Sequence, residues 1–304
     1  MMRLFLIIVF LFPLCLAAAE PGPVTAPSYI LVEMDTFRTI AGRDYHKRLP
    51  PASTTKIMTT LLAIEKLEGN EIVVPGKKVR TISPSKMNLT PGRGYRSIDL
   101  MKGAMVESAN DAAYALATYI GGTESNFAAM MNERAGALGA IDTNFVNASG
   151  LPVDNQYSSA YDLAIIFKRA LLNPKFREII SMEYFLFQDA QRSVRYKNHN
   201  RLLFCFEPSI GGKTGYTRKA KHCYVGAFEK DGRVYILAML GSRSLWGDTV
   251  QILKNLYDKV PTDEELRLAK ACSPTLTSHQ VKKTKKTVPK KKTSRAKKKI
   301  KRVR

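Results

Sequence analysis

Ser53 and Lys56 stand three residues apart in Pro50-Pro51-Ala52-Ser53-Thr54-Thr55-Lys56-Ile57-Met58, a segment that reads as a loop running into a helix. A serine hydroxyl is a poor nucleophile at neutral pH and needs a base within hydrogen-bond reach. Lysine can be that base only if burial or a neighbouring cation lowers its pKa, so the pair calls for a second positive charge close by. The unpaired N–H groups of the helix start would face any anion that develops beside Ser53. Alone, the tetrad also fits a plain N-cap followed by a solvated lysine. The rest of the chain must therefore supply the other parts.

Two more short groups follow in order. Ser108-Ala109-Asn110 is a polar break between two helical runs, and Gly212-Lys213-Thr214-Gly215-Tyr216 comes just before a β-rich run. Lys213 is a candidate for the missing second cation. No C-x-x-C, H-E-x-x-H or Cys/His cluster is present, so no metal and no cofactor is expected. Four histidines and no G-x-S-x-G give a Ser-His-Asp hydrolase little support.

The elements that must position these groups can be read from periodicity. Residues 28–34 are β-branched and aromatic and, with 38–41, predict a hairpin ahead of the Ser53 helix. From Ile57 the apolar residues recur at 3.6 spacing, which places Ser53 and Lys56 on one face. Helices are predicted over 97–107 with Ser97 as cap, 111–120, 123–138 and 158–172. Residues 223–228 and 234–240 read as strands joined at Asp231-Gly232, a strong hairpin signal, with a helix over 249–260. Strands, a helical block, then strands and a helix predict an α+β body whose sheet is completed by both ends of the chain.

The 304 residues, 45% of them hydrophobic, can bury a sizeable core. Of the net +22, fourteen charges lie in residues 281–304, which hold no acid, leaving +8 for the first 280. A charged start at Arg3, an apolar run and Ala17-Ala18-Ala19 read as an export signal over 1–19. The same apolar run as an uncleaved membrane anchor is the alternative. Beyond Cys15, an odd set of Cys205, Cys223 and Cys272 leaves one disulfide or none. The expected organisation is thus a signal at 1–19, a catalytic body at 20–260, a linker at 261–280 and a polybasic tail at 281–304.

Ser53-x-x-Lys56, Ser108-x-Asn110 and Lys213-Thr214-Gly215, in that order, are the trio found in penicillin-binding proteins and class A β-lactamases. Residues 50–60, 108–113, Tyr161-Asp162-Leu163-Ala164, Asn198-His199-Asn200-Arg201-Leu202-Leu203 and 213–217 narrow the match. Over about 25–260 the chain resembles the low-molecular-mass D-alanyl-D-alanine carboxypeptidases, serine peptidases that trim peptidoglycan stem peptides. The resemblance implies the β-lactamase/transpeptidase-like fold, an antiparallel sheet flanked by helices with an all-helical lobe inserted.

It also implies roles. Ser53 would attack the penultimate D-alanine carbonyl and Lys56 would take its proton, with Ser108 relaying a proton to the leaving amine. Asn110 would hold the substrate amide and Lys56. Lys213 would depress the Lys56 pKa and attract an anionic substrate. The N–H groups of Ser53 and Tyr216 would form the oxyanion hole. Thr214 and Gly215 would line an edge strand to which an extended peptide adds, glycine leaving room for the substrate backbone. Arg243 matches an arginine that helps bind the terminal carboxylate. The peptidoglycan pentapeptide is then the substrate and β-lactams the inhibitors. With no Glu-x-x-Leu-Asn segment, penicillin is expected to acylate Ser53 and stay. The chain departs from the family at Arg218-Lys219-Ala220-Lys221-His222, where a small residue and glycine are usual.

The tail, from Lys282 to the final Arg304, lacks an apolar stripe and is expected to be solvated, with affinity for an anionic membrane surface or envelope glycan. Behind an export signal, nucleic acid is not the expected partner. The competing reading from another class is a non-catalytic envelope-binding protein that uses the cleft and the basic tail.

Overall fold

The structure, a computed structural model, describes residues 24–271. The signal reading at 1–19, Cys15, Cys272 and the tail at 281–304 lie outside the described residues.

A hairpin of β1 (Ser28–Glu33) and β2 (Thr39–Arg43) leads to a 3-10 turn at Ala52–Thr55 that runs into α1 (Lys56–Lys66). The short strands β3 (Ile72–Val73) and β4 (Tyr95–Arg96) pair before a helical block. That block comprises α2 (Ser97–Val106), α3 (Asn110–Gly121), α4 (Glu124–Ala137), α5 (Ala160–Leu171) and α6 (Pro174–Ser181). A separate hairpin, β5 (Tyr184–Gln188) and β6 (Ser193–Lys197), precedes a 3-10 turn at Arg201–Phe204. The chain closes with β7 (Ser209–Thr217), β8 (Lys221–Lys230), β9 (Arg233–Ser242), α7 (Leu245–Leu253) and α8 (Asp263–Ala271).

The main sheet has the antiparallel order β2-β1-β9-β8-β7, so both ends of the chain build it, and β7 is an edge. Both faces are covered. Ile30, Val32, Val225, Ala227, Ile236 and Ala238 face the helical lobe, whereas their neighbours Leu31, Tyr224, Phe228, Leu237 and Met239 pack with Ile252, Leu253 and Leu266 on the other side. Two buried faces explain why these strands read as unbroken apolar runs with no polar alternation. The lobe surrounds α1, in which every residue from Lys56 to Ile64 is buried. A helix enclosed on all sides keeps a charged group such as Lys56 only if that group has internal partners.

Some boundaries differ from the sequence reading. Ser97 does not cap α2; its hydroxyl donates to Glu71 Oε2 at 2.7 Å, because the chain enters the helix from the β3–β4 pair. The last predicted helix begins earlier and ends at Leu253. The segment read as a linker contains α8, with Leu266 3% and Ala269 4% exposed. Cys205 and Cys223 are both free thiols, and burial pushes the pKa of Cys223 up to about 12.

Candidate active site

Ser53 sits in the 3-10 turn at Ala52–Thr55, and Lys56 is the first residue of α1. The tight turn brings Lys56 Nζ to 3.0 Å from Ser53 Oγ. Two other oxygens complete its surroundings: Asn110 Oδ1 and the Ser149 carbonyl, each at 2.6 Å. Both can only accept, whereas a serine hydroxyl can donate as well. An ammonium can donate to all three oxygens, and a neutral amine can donate to both carbonyl oxygens and accept the Ser53 O–H, so the contacts admit the base form. The electrostatics agree. Burial first, and the Lys213 ammonium second, hold the Lys56 pKa well below its usual 10.5, against an opposing pull from Asp111.

Lys213 lies on β7, is 1% exposed, and donates to Ser108 Oγ at 2.9 Å and to the Thr214 carbonyl at 2.8 Å. Burial brings its pKa down to about 7, and the Glu107 carboxylate pulls it back up. Glu107 is itself raised to about 7 by burial, against the Lys213 ammonium, which lowers it. Ser108 holds φ 62°, an uncommon conformation for a residue with a side chain and one that clusters at functional sites.

Asn110 opens α3. Its Nδ2 donates to the Ser83 and Pro84 carbonyls at 2.9 and 3.0 Å while Oδ1 accepts from Lys56. The expected grip on Lys56 is thus present, but both amide hydrogens serve the 83–84 loop, and a substrate carbonyl would have to displace one bond. Asp111, next in the chain, accepts from the Met87 and Leu89 amides and fixes the loop on which Asn110 leans.

The role expected for Gly215 needs correcting. A Cβ there would stand 2.8 Å from the Ser53 amide nitrogen and 3.1 Å from Ala52 Cβ. Residues two apart on a strand share a face, so Gly215 points the same way as Lys213, inward against the nucleophile's turn. Glycine is required for β7 to approach Ser53, not to clear space for a substrate backbone. Thr214 and the exposed Tyr216 lie on the alternate face.

A cleft of about 680 Å³ gathers Ser53, Ser108, Asn110, Thr214, Gly215, Tyr216 and Arg243 on its walls. Every candidate residue from the sequence is therefore either on the cleft or, like Lys56 and Lys213, bonded directly beneath it. Arg243 is exposed, and its backbone N–H is held by Thr25 Oγ1 at 2.9 Å. Sequence reasoning missed Ser149, which contributes only a carbonyl, and Gly150. At φ +82°, Gly150 is packed so that a Cβ would overlap the Ala52 carbonyl. Asn147 Oδ1 accepts from the Gly150 amide at 2.8 Å, a side-chain turn that aims the carbonyl at 149 towards Lys56. Also missed was α8, whose Asp263, Leu266 and Arg267 form one wall of the cleft. Among the described residues no His/Cys/Asp/Glu group could hold a metal ion.

An antiparallel sheet with an enclosed helical lobe, and a serine backed by a buried lysine, define the class of serine acyl-transfer enzymes that includes the penicillin-binding proteins. Comparison with known proteins sharpens this. A family model described as D-alanyl-D-alanine carboxypeptidase matches residues 16–244. The chain is similar to the D-alanyl-D-alanine carboxypeptidase DacB2 of Mycobacterium tuberculosis, 36% identical across 72% of this chain and 75% of that one. It is also similar to DacF of Bacillus subtilis, 35% identical across 76% of this chain and 61% of that one. The crystal structure of a D-alanyl-D-alanine carboxypeptidase from Mycobacterium tuberculosis superposes with TM-score 0.73 and 31% identity, covering 80% of this chain and 97% of that one. The chain belongs to the D-alanyl-D-alanine carboxypeptidase family of serine peptidases.

Proposed function

We propose that this protein removes the terminal D-alanine from peptidoglycan stem peptides through an acyl-enzyme on Ser53. The observation that carries the reading is the Lys56 amine, fully buried, 3.0 Å from Ser53 Oγ, with its other two contacts both carbonyl oxygens. Neutral Lys56 takes the Ser53 proton as Oγ attacks the penultimate D-alanine carbonyl. The developing oxyanion faces the N–H groups of Ser53 and Tyr216. The C–N bond then breaks, and the amine leaves with a proton relayed through Ser108, whose hydroxyl touches Lys213. Thr214 and Arg243 bind the terminal carboxylate. Water then hydrolyses the ester and restores Ser53.

Penicillin is taken as a substrate mimic that acylates Ser53 and is released slowly. Incubation with a pentapeptide ending in D-Ala-D-Ala is expected to yield free D-alanine, and fluorescent penicillin is expected to label the protein but not Ser53→Ala. Absence of both signals in the unaltered protein would sink the enzymatic reading and leave the envelope-binding one.

We further propose that residues 1–19 direct export, placing the enzyme in the periplasm or at the outer face of the cytoplasmic membrane. There the tail, fourteen cations within 281–304, attracts an anionic membrane or glycan. Co-sedimentation with anionic vesicles that is lost in high salt, and absent from a chain ending at Val260, tests the tail.

A further inference from the structure

The segment Arg218-Lys219-Ala220-Lys221-His222, where the chain departs from its family, forms the β7–β8 turn and the start of β8. Its shape is fixed from inside. Thr217 and Lys221 pair across the turn, and Thr217 Oγ1 accepts the Ala220 N–H at 2.9 Å. Ala220 is 4% exposed and packs into the core on the lobe side of the sheet, while Lys221 takes a left-handed φ of 56°. A turn anchored by its one small residue presents the long ones around it to solvent, and Arg218, Lys219 and Lys221 are all exposed. These cations are barely matched. Lys219 Nζ lies 3.8 Å from Asp154, whose side chain is 98% exposed, a setting in which an ion pair contributes little. Arg218 and Lys221 pair with no carboxylate among the described residues. Like charges held in a fixed shape at the rim of a cleft act on whatever enters it.

The turn also has a definite place along the substrate. Thr217 and His222 line the cleft together with Gly150 and Leu151, and the Tyr216 ring lies against His222 with centroids 4.6 Å apart. In the reaction proposed above, the terminal carboxylate meets Thr214 and the scissile carbonyl meets the Ser53 and Tyr216 N–H groups. A substrate bound in this way runs antiparallel to β7, and each residue before the scissile bond advances about 3.4 Å further along the strand. The two residues ahead of the penultimate D-alanine then come level with Thr217 and with the 218–219 end of the turn. Stem peptides carry their side carboxyl groups at these positions. As free acids those groups are anionic; as amides they are neutral.

We infer that Arg218 and Lys219, with Lys221 beside them, make this protein select stem peptides whose side carboxyl groups are free acids over those in which they are amides. The turn acts on binding and takes no part in acyl transfer. The inference rests on the Ser53 reading, which sets the direction in which the substrate lies.

The test measures D-alanine release by the full chain from two pentapeptides that differ only in these groups, free acids in one and primary amides in the other. A diacylated lysyl-D-Ala-D-Ala tripeptide, which has no side carboxyl group, is the reference. At low ionic strength the unaltered protein is expected to favour the acid over the amide by about fivefold in kcat/KM, the scale of one or two exposed ion pairs, carried by KM. Salt should shrink the preference. Arg218→Ser combined with Lys219→Ser is expected to bring the ratio within about twofold of unity, with the amide, the reference tripeptide and penicillin acylation within about twofold of the unaltered protein. Arg218→Glu combined with Lys219→Glu should invert the preference. Equal rates on acid and amide by the unaltered protein would overturn the inference. So would a double-serine variant that keeps the preference while losing affinity for anionic vesicles, or one that loses the reference tripeptide as heavily as the acid peptide. Failure of the Ser53 reading looks different: the unaltered protein would release D-alanine from none of the three and take up no penicillin.

Discussion

Lys213 Nζ donates to Ser108 Oγ at 2.9 Å, so each of the two buried lysines is tied to a serine, Lys56 to Ser53 and Lys213 to Ser108. The site contains two amine–hydroxyl pairs, of which the proposed mechanism uses one to start the attack and the other to finish the departure. Their amines repel each other when both are charged, which favours the state with one proton between them. Burial first and the Lys213 ammonium second hold the Lys56 pKa well below its usual 10.5, so Lys56 is the member of the pair proposed to be neutral, although its two carbonyl acceptors favour the charged form.

Replacing Lys56 with methionine keeps an unbranched side chain, one atom shorter, and removes the base. Penicillin acylation is expected to slow by roughly 10²–10⁴-fold, the usual contribution of a positioned general base. Asn110 Oδ1 and the Ser149 carbonyl lose their donor as well, at about 1–3 kcal/mol for each buried acceptor left unpaired. Rapid-mixing acylation kinetics and a denaturant melt on one preparation separate the two effects. A variant acylated at the normal rate would remove Lys56 from the mechanism.

The pH dependence follows from the same pairs. Lys56 works only when neutral, so activity rises as pH increases through its lowered pKa. Lys213 works as a cation, so activity falls as pH rises through about 7 in the free protein. The profile of kcat/KM is therefore bell-shaped, its limbs belonging to the coupled pair. Glu107→Gln removes the one negative charge that holds the Lys213 pKa up, so the alkaline limb is expected to move to lower pH. An alkaline limb that stays in place, or moves up, contradicts this assignment.

What was legible in the chain was whatever needs a particular side chain. Ser53, Lys56, Ser108, Asn110 and Lys213 declare themselves because acyl transfer needs a nucleophile, an amine and a cation at short spacings. Ser149 did not, because every residue has a carbonyl, and only the Asn147 turn aims this one at Lys56. The hairpin β5–β6 was hidden because Leu186, 55% exposed, interrupts the contrast between buried Phe185 and Phe187 and their neighbours, and its turn lacks glycine and proline. For α8 the signal was present. Thr262 and Glu265 bond each other reciprocally, with Thr262 N to Glu265 Oε2 at 2.7 Å and Glu265 N to Thr262 Oγ1 at 3.2 Å. That capping box was passed over because only Leu266 and Ala269 anchor the helix ahead of a lysine-rich stretch.

Gly215→Ala tests the corrected role of this glycine. A methyl group 2.8 Å from the Ser53 nitrogen forces β7 away from the nucleophile's turn, since backbone and not a flexible side chain stands opposite. Acylation is expected to fall by about 10²-fold, as for a lost oxyanion-hole donor, because the oxyanion hole proposed at the Ser53 and Tyr216 amides is pulled apart. Were the glycine there only to admit the substrate backbone, KM for the peptide would rise while acylation by compact penicillin stayed near normal.

Ending the chain at Val260 removes α8 and everything after it. The side chains of Ser53, Lys56, Ser108, Asn110 and Lys213 hydrogen-bond to one another and to Ser83, Pro84, Ser149 and Thr214, not to α8, so penicillin acylation is expected to survive. Leu266 lies in the core on the far face of the sheet, and Arg201 Nη1 reaches the Leu266 carbonyl at 3.5 Å. Losing one buried leucine costs about 2–5 kcal/mol in a well-packed core, and the lower half of that range suits an anchor at the edge. Urea unfolding should show a drop of about 2–3 kcal/mol, and the peptide KM should rise because Asp263, Leu266 and Arg267 no longer wall the cleft. Leu266→Ala in the full chain separates the causes: it should reproduce most of the stability loss, whereas the KM change needs the whole wall removed. A shortened chain that loses acylation outright would mean that α8 helps hold Ser53 and Lys56 in register, a role their hydrogen bonds do not require.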